Sequence, residues 1–204
     1  MLRTSEILDR LVANETAETM SLAEIVGRLR ARSFGVLLIL FAAPNMIPTP
    51  PGFSTIGGVL VMLVAIQLVA LRRAMWMPET IAKRRVQTST LARIIGFIVP
   101  KLRRIERFAK PRAIGMTRLR ARQPLGLLVL LLGLVMALPL PVVGNIPPAI
   151  AITLIGFGLI ERDGVWVGAG IGVGILDIGV IIGLAFGLLY VFERFVPAGW
   201  LGLF

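Results

Sequence analysis

The sequence predicts an all-α integral membrane protein: two proline-broken hairpin repeats followed by a C-terminal transmembrane helix. Three observations carry this. Mean hydropathy is +0.87 and 56% of the 204 residues are hydrophobic, which fits a chain whose solvent is largely lipid. The segment from Phe34 to Phe108 returns, degenerate but legible, from Leu125 to Phe195: Pro48 and Pro50 align with Pro139 and Pro141, and both copies close on Glu-Arg-Phe. Each copy also carries an uncharged run of 38 residues, Phe34–Leu71 and Gln123–Ile160, interrupted by prolines. Paired apolar units broken in this way point to a central site in a membrane protein.

The elements follow in order. Residues 1–33 read as amphipathic cytoplasmic helices: Ile7, Leu8, Leu11 and Val12 share a face, and Ser21 with Glu24 has capping-box spacing before Ile25 and Leu29. Repeat 1 spans 34–111. Its first arm, Phe34–Ile47, reaches only about 21 Å as a helix, against a hydrocarbon core of roughly 30 Å. Pro48-Thr49-Pro50-Pro51-Gly52 then stops any helix, because proline lacks the N–H and fixes φ. In the second copy the break is expected from Pro139 to Pro148. Re-entrant hairpins are the favoured geometry; two tight full crossings are the alternative. Ile81–Phe108 reads as a basic amphipathic helix kinked at Pro100, 112–124 as a basic linker, 125–197 as repeat 2 with the spanning segment Val165–Phe192, and 198–204 as a tail. If both third elements cross, the repeats are inverted.

Charge is concentrated in one place. Residues 1–33 carry five basic and five acidic side chains, residues 72–122 fifteen basic and two acidic, and the remainder two basic and four acidic, which together give the net +11. A basic surplus between apolar segments marks cytoplasmic loops and favours anionic lipid over nucleic acid as partner. The chain has no Cys and no His, so thiolate metal sites, cysteine nucleophiles and the commonest general base are absent. No enzyme motif, metal cluster or cofactor site stands out. A small set of residues carries the chemistry instead. Irregular backbone at membrane depth must be buried in protein or line a wet cavity, which brings Asn45, Thr49, Ser54 and Thr55 of one break toward Asn145 of the other. Asp177 is the one charge of the last span, an expensive placement that calls for a partner or a water-filled path; Arg93 is the candidate partner. Glu161-Arg162-Asp163 closes the second hairpin, and alignment of the copies, allowing for one deleted residue, sets Arg162 opposite Arg72, beside Arg73, and Trp166 opposite Trp76. Glycines around Asp177 invite close packing and a homodimer.

PNMIPTPPG, the Gln67-containing run ending in Arg72-Arg73 and Trp76, PKLRRIERFAKPR, LPLPVVGNIPPAIAI and GLIERDG together resemble the ExoD family over roughly residues 20–195. The resemblance implies a multi-pass protein of the bacterial inner membrane linked to exopolysaccharide synthesis; it supplies no catalytic residues. The paired broken hairpins also resemble, in architecture alone, the DedA family, associated with moving lipid carriers. The function expected is binding, with translocation as its extension, of polyprenyl phosphate or a lipid-linked sugar. Arg72, Arg73 and Arg162 would meet the phosphate, Asn45, Thr49 and Asn145 would line the midplane, and Asp177 would couple to a proton or fix an arginine. The alternative is a non-transporting anchor that docks synthesis machinery through the basic segment.

Overall fold

The computed structural model describes residues 19–29, 32–47, 52–72, 75–76, 79–89, 92–93, 96, 114–117, 121–138 and 142–195. They form helices α1 (Leu22–Leu29), α2 (Ser33–Ala42), α3 (Phe53–Val69), α4 (Glu79–Ala82), α5 (Arg122–Ala137), α6 (Ile146–Glu161) and α7 (Gly164–Phe195). A 3₁₀ turn, Ala43–Met46, extends α2, and others cover Ile114–Thr117 and Val142–Asn145. The class is all-α, and among the described residues one helix, Gly164–Phe192, is long and apolar enough to cross a membrane.

The capping box forms as the spacing requires. The Ser21 N–H donates to Glu24 Oε2 at 3.0 Å and the Glu24 N–H to Ser21 Oγ at 3.2 Å. The backbone N–H of Ser21, then its hydroxyl, holds the Glu24 carboxyl below its ordinary pKa. The box is therefore complete above the usual glutamate range and loosens as pH falls through the lowered value. Met20 and Leu29 pack with Ile25 and Val36, fixing α1 to the start of α2.

One expectation fails here. Ile81–Phe108 does not open as a continuous helix: Arg85–Gln87 is a strand, paired antiparallel with Thr19–Ser21 in the register Met20↔Val86. Two three-residue strands this short carry no alternation that the sequence could reveal.

The two hairpins, α2–α3 and α5–α6, interlock. α3 lies along α5 and α2 along α6, so each arm packs against the opposite repeat. Glycines set the approach. A Cβ on Gly35 would meet the carbonyl oxygen of Gly156, and one on Gly156 would lie 2.9 Å from the oxygen of Gly35. On the other diagonal, a Cβ on Gly58 would stand 2.7 Å from the oxygen of Gly133. Around these crossings Phe34, Leu38, Val61, Leu68, Val129, Leu132, Ile152 and Ile155 form the core.

The interlock has a pseudo-twofold axis. Gly35 lies against the backbone of Ile160 and Gly126 against that of Val69; the register that carries Gly35 onto Gly126 also carries Val69 onto Ile160. The guanidinium of Arg122, at the start of α5, stands over the Phe34 ring at the start of α2, 6.0 Å from its centroid. Both hairpin mouths thus lie at one end of the bundle and both proline breaks at the other. The hairpins are parallel copies about an axis along the helices, and the inverted arrangement is excluded for them.

Outward faces are apolar in both copies. Ile56, Val59, Leu63 and Ile66 of α3 and Leu127, Leu131 and Leu134 of α5 are exposed at helical spacing. A surface of this kind is covered by lipid or protein, not water. The second break is shorter than expected. α6 starts at Ile146, before Pro147-Pro148, because proline in a first helical turn forfeits an N–H that has no helical partner anyway. Its arm is 16 residues. α7 runs antiparallel to α6, with Gly158 against Val167 and Gly170 against Ile155 and Ala151. Beyond Ile178 it leaves the bundle, and residues 182–192 are exposed.

Gly35→Ala and Gly156→Ala should lower the thermal midpoint in detergent, by the equivalent of about 1–3 kcal/mol for an overpacked contact. That loss would come despite alanine's better helix propensity. Gly172→Ala, where a Cβ meets nothing within 4 Å, should be neutral or stabilising.

Candidate functional site

Polar and charged groups gather at the two ends of the bundle. At the mouth, α3 and α6 end in the same way. Leu71 (φ 52°) and Arg162 (φ 55°) are the non-glycine residues at positive φ among those described. The following N–H groups reach back over the cap, Arg72 to the carbonyl of Gln67 at 3.2 Å and Asp163 to that of Gly158 at 3.0 Å. These are two copies of one left-handed helix stop. Leu71 therefore corresponds to Arg162, and Arg72 to Asp163. The alignment of Arg72 with Arg162 is out by one residue, because matching the two arginines disregards the residue that turns the chain.

The two mouths consequently differ. In repeat 1, Gln67 Oε1 accepts the Trp76 N–H at 2.7 Å and Arg72 is exposed. In repeat 2, Asp163 is buried, and its Oδ1 accepts the Val165 N–H at 2.9 Å to cap α7. Trp166 packs edge-to-face on Phe157, centroids 5.2 Å apart. Arg122, which sequence reasoning left in the linker, joins this mouth. It is partly buried, lies within electrostatic range of the like-charged Arg162, and its Nε has no hydrogen-bond partner. Glu161 closes α6 beside them. Arg73 lies outside the described residues.

At the break end, Asn45 is 2% exposed and Asn145 5%. Asn45 Nδ2 donates to the Phe41 carbonyl at 2.9 Å and rests against Gly57, where a Cβ would stand 2.6 Å away. Its Oδ1 is buried without a partner. Asn145 precedes α6 without a side-chain cap bond, and its Oδ1 is likewise unpartnered. The twofold register pairs Asn145 with Ser54, also buried, and not with Asn45. Thr49 lies outside the described residues.

Asp177 belongs to the same end. Continuing the register of Gly158 with Val167 and Ile155 with Gly170 sets Asp177 level with Pro148, in the first turn of α6. It is 6% exposed and its Oδ2 is buried without a partner. The N-terminus of a 16-residue helix is the end that favours a negative charge. Arg93 is exposed, and no ion pair among the described residues joins it to Asp177. The arginine partner expected from sequence does not supply that charge balance.

The family described as "Exopolysaccharide synthesis, ExoD" matches residues 4–183. The chain belongs to the ExoD family. An uncharacterized protein of Synechocystis is 34% identical over 87% of this chain and 86% of its own length. Protein ExoD of Rhizobium meliloti is 28% identical over 81% of this chain and 70% of its own. No solved structure matches. Membership links the chain to exopolysaccharide synthesis, and both ends of the bundle described above fall within the ExoD-matching region.

Asp177→Asn keeps the side chain's volume and removes an ionisable group from an apolar span, a cost of roughly 2.5–3.5 kcal/mol on insertion scales. The expected outcome is a thermal midpoint equal to or above that of the unaltered protein, with loss of exopolysaccharide output when the variant replaces it in cells. Full output would remove Asp177 from the working site.

Proposed function

We propose that this ExoD-family protein is an integral protein of the bacterial inner membrane that binds, and moves, an anionic lipid carrier or lipid-linked intermediate of exopolysaccharide assembly. The observation that carries the reading is the polarity of the bundle. Arginines gather where the hairpins open, the buried side chains of Asn45, Asn145 and Asp177 gather toward the breaks, and the outward faces between are apolar. The positive-inside rule turns the mouths, next to the +13 segment at 72–122, toward the cytoplasm.

Lengths support re-entrant hairpins. α3, α5 and α6 have 16 or 17 residues and span about 24–26 Å, short of the roughly 30 Å core. α7, at 32 residues and about 48 Å, runs past the level of the breaks. With the mouths at the cytoplasmic surface, the breaks then lie inside the bilayer, shielded by protein, and α7 alone among these helices crosses.

In this reading Arg162, with Arg72 and Arg73 on the first hairpin, meets the phosphate. Arginine's planar fork suits that group better than lysine's point charge. Asn45, Thr49 and Asn145 line the path at depth, and Asp177 carries a proton opposite the start of α6. The chain acts as a carrier-lipid protein and not as an enzyme. Gly172, Gly179, Gly183 and Gly187 present an open edge on α7, which supports a homodimer through that helix. A second reading, a non-transporting anchor docking synthesis machinery, draws on the density of basic residues in 72–122.

Native mass spectrometry of the protein purified in mild detergent separates the two. Co-purifying polyprenyl phosphate or lipid-linked sugar, depleted about tenfold or more in Arg162→Ala as loss of a charge-assisted contact predicts, supports the carrier reading. Bulk phospholipid alone, unchanged in the variant, overturns it in favour of docking.

A further inference from the structure

Asp177 is a buried carboxylate with no countercharge near it on any helix of the bundle. α2 and α3 carry no charged side chain, α5 carries only Arg122 at its start, and α6 only Glu161 at its end. Both of those stand at the mouth, the far end from Asp177. On α7 the next charges are Glu193 and Arg194, about 24 Å further along the axis at ~1.5 Å per residue. An ionised carboxylate in such surroundings calls for a neutralising partner, and its Oδ2 has none.

The neighbours of Asp177 are oxygen-bearing chain ends. Gly174, one turn before it on the same face, is wedged between both arms of the second hairpin. A Cβ there would lie 2.9 Å from Leu132 Cδ1 of α5 and 3.7 Å from Ala151 Cβ of α6. One turn on, Asp177 stands between the last turn of α5 and the first turn of α6. Asn145 precedes α6 in helical conformation (φ −89°, ψ −10°), three residues before Pro148 and on the same side of the turn. Its Oδ1 is also buried without a partner. The last turn of α5 adds main-chain carbonyls, which at any helix end lack intrahelical donors. Carboxylate, amide and main-chain oxygens together form a ligand set for a hard cation.

We propose that Asp177 and Asn145 hold a monovalent alkali cation at the second break, with main-chain carbonyls from the last turn of α5. The inference deepens the carrier-lipid reading by naming an ion that neutralises the carboxylate in place of a proton, and takes from that reading the placing of the break within the bilayer. Charge decides the ion. One carboxylate balances one positive charge, and among the described residues no group of three or more His, Cys, Asp or Glu gathers as a divalent metal would ask. The helix ends divide the work: the C-terminal end of α5 favours the cation, and the N-terminal end of α6 favours the carboxylate. Paired helix ends of this kind, at a break inside the membrane, are where transporters coordinate Na⁺. The first break has no acidic residue between Ala43 and Gly58, and Asn45 and Ser54 are its buried polar side chains among those described. The ion site is therefore confined to repeat 2.

The test uses the full-length protein in mild detergent, freed of sodium in choline chloride. Radiolabelled Na⁺ should bind saturably, Asp177→Asn should abolish the binding, and Asn145→Ala should weaken it about tenfold, as loss of one contact to a charged group predicts. NaCl should also raise the thermal midpoint above that in choline chloride at equal ionic strength, by mass action, and the difference should vanish in Asp177→Asn. Absence of saturable Na⁺ binding by the unaltered protein overturns the proposal and leaves the proton as sole occupant. Unchanged binding in Asp177→Asn overturns it as well. If Asn145→Ala loses helicity, Asp177→Asn, which keeps the side chain's volume, still decides. No carrier lipid is added, so the two readings separate. Failure of Na⁺ binding while Arg162→Ala still depletes co-purifying lipid removes the ion and keeps the carrier. Sodium held through Asp177 by a protein that carries only bulk phospholipid keeps the ion site and removes the carrier.

Discussion

Close approach of backbones at two glycine crossings fixes everything else in this molecule. In lipid, one apolar helix gains little by touching another, since the tails are as apolar as leucine; packing contact has to supply the attraction. Gly35 on Gly156 and Gly58 on Gly133 supply it by letting main chains meet where any side chain would hold them apart. Because each crossing joins opposite repeats, neither hairpin completes its own core. The twofold follows, and with it the separation of mouths from breaks.

That separation organises the chemistry. Each second arm ends in a left-handed cap, at Leu71 and Arg162, that turns the chain at the mouth. Repeat 2 places Arg162 and Asp163 there with α7 leaving directly, while the equivalent turn of repeat 1 holds Leu71 and Arg72 and is fastened by Gln67 to Trp76. The two copies share a frame and differ in charge, so the apparatus at the mouth is one-sided. At the far end Asn45, Asn145 and Asp177 are buried with an unpartnered oxygen each. Buried polar atoms without partners are uncommon in proteins and call for a role.

Much of this was legible in the sequence, for reasons that particular residues make plain. Ser21 and Glu24 announced their capping box because the interaction is local, and the prolines after Ile47 and Leu138 announced the breaks because proline's effect is intrinsic. Asn145 and Asp177 stood out as polar groups in apolar runs. What escaped was pairing at a distance. Gly35, Gly58, Gly133 and Gly156 are four of 22 glycines, and nothing in their spacing says which two meet. The Arg72–Arg162 alignment failed because chemical identity outweighed backbone conformation. Pro147 and Pro148 belong to α6 and not to the break, because a first helical turn accepts both. Arg122 is one of fifteen basic residues in 72–122, and only the fold brings it over Phe34 and toward Arg162.

The parallel arrangement of the hairpins is the claim on which the account depends, and the absence of native cysteine makes it directly accessible. Ala70→Cys and Gln123→Cys place single thiols at exposed positions on the two mouths. They would be labelled with a membrane-impermeant maleimide in intact cells and in inverted membrane vesicles. The account predicts that both react in inverted vesicles and neither in intact cells. Reaction of one thiol from each side would contradict it, because hairpins that open on opposite faces cannot form the crossings at Gly35 and Gly58.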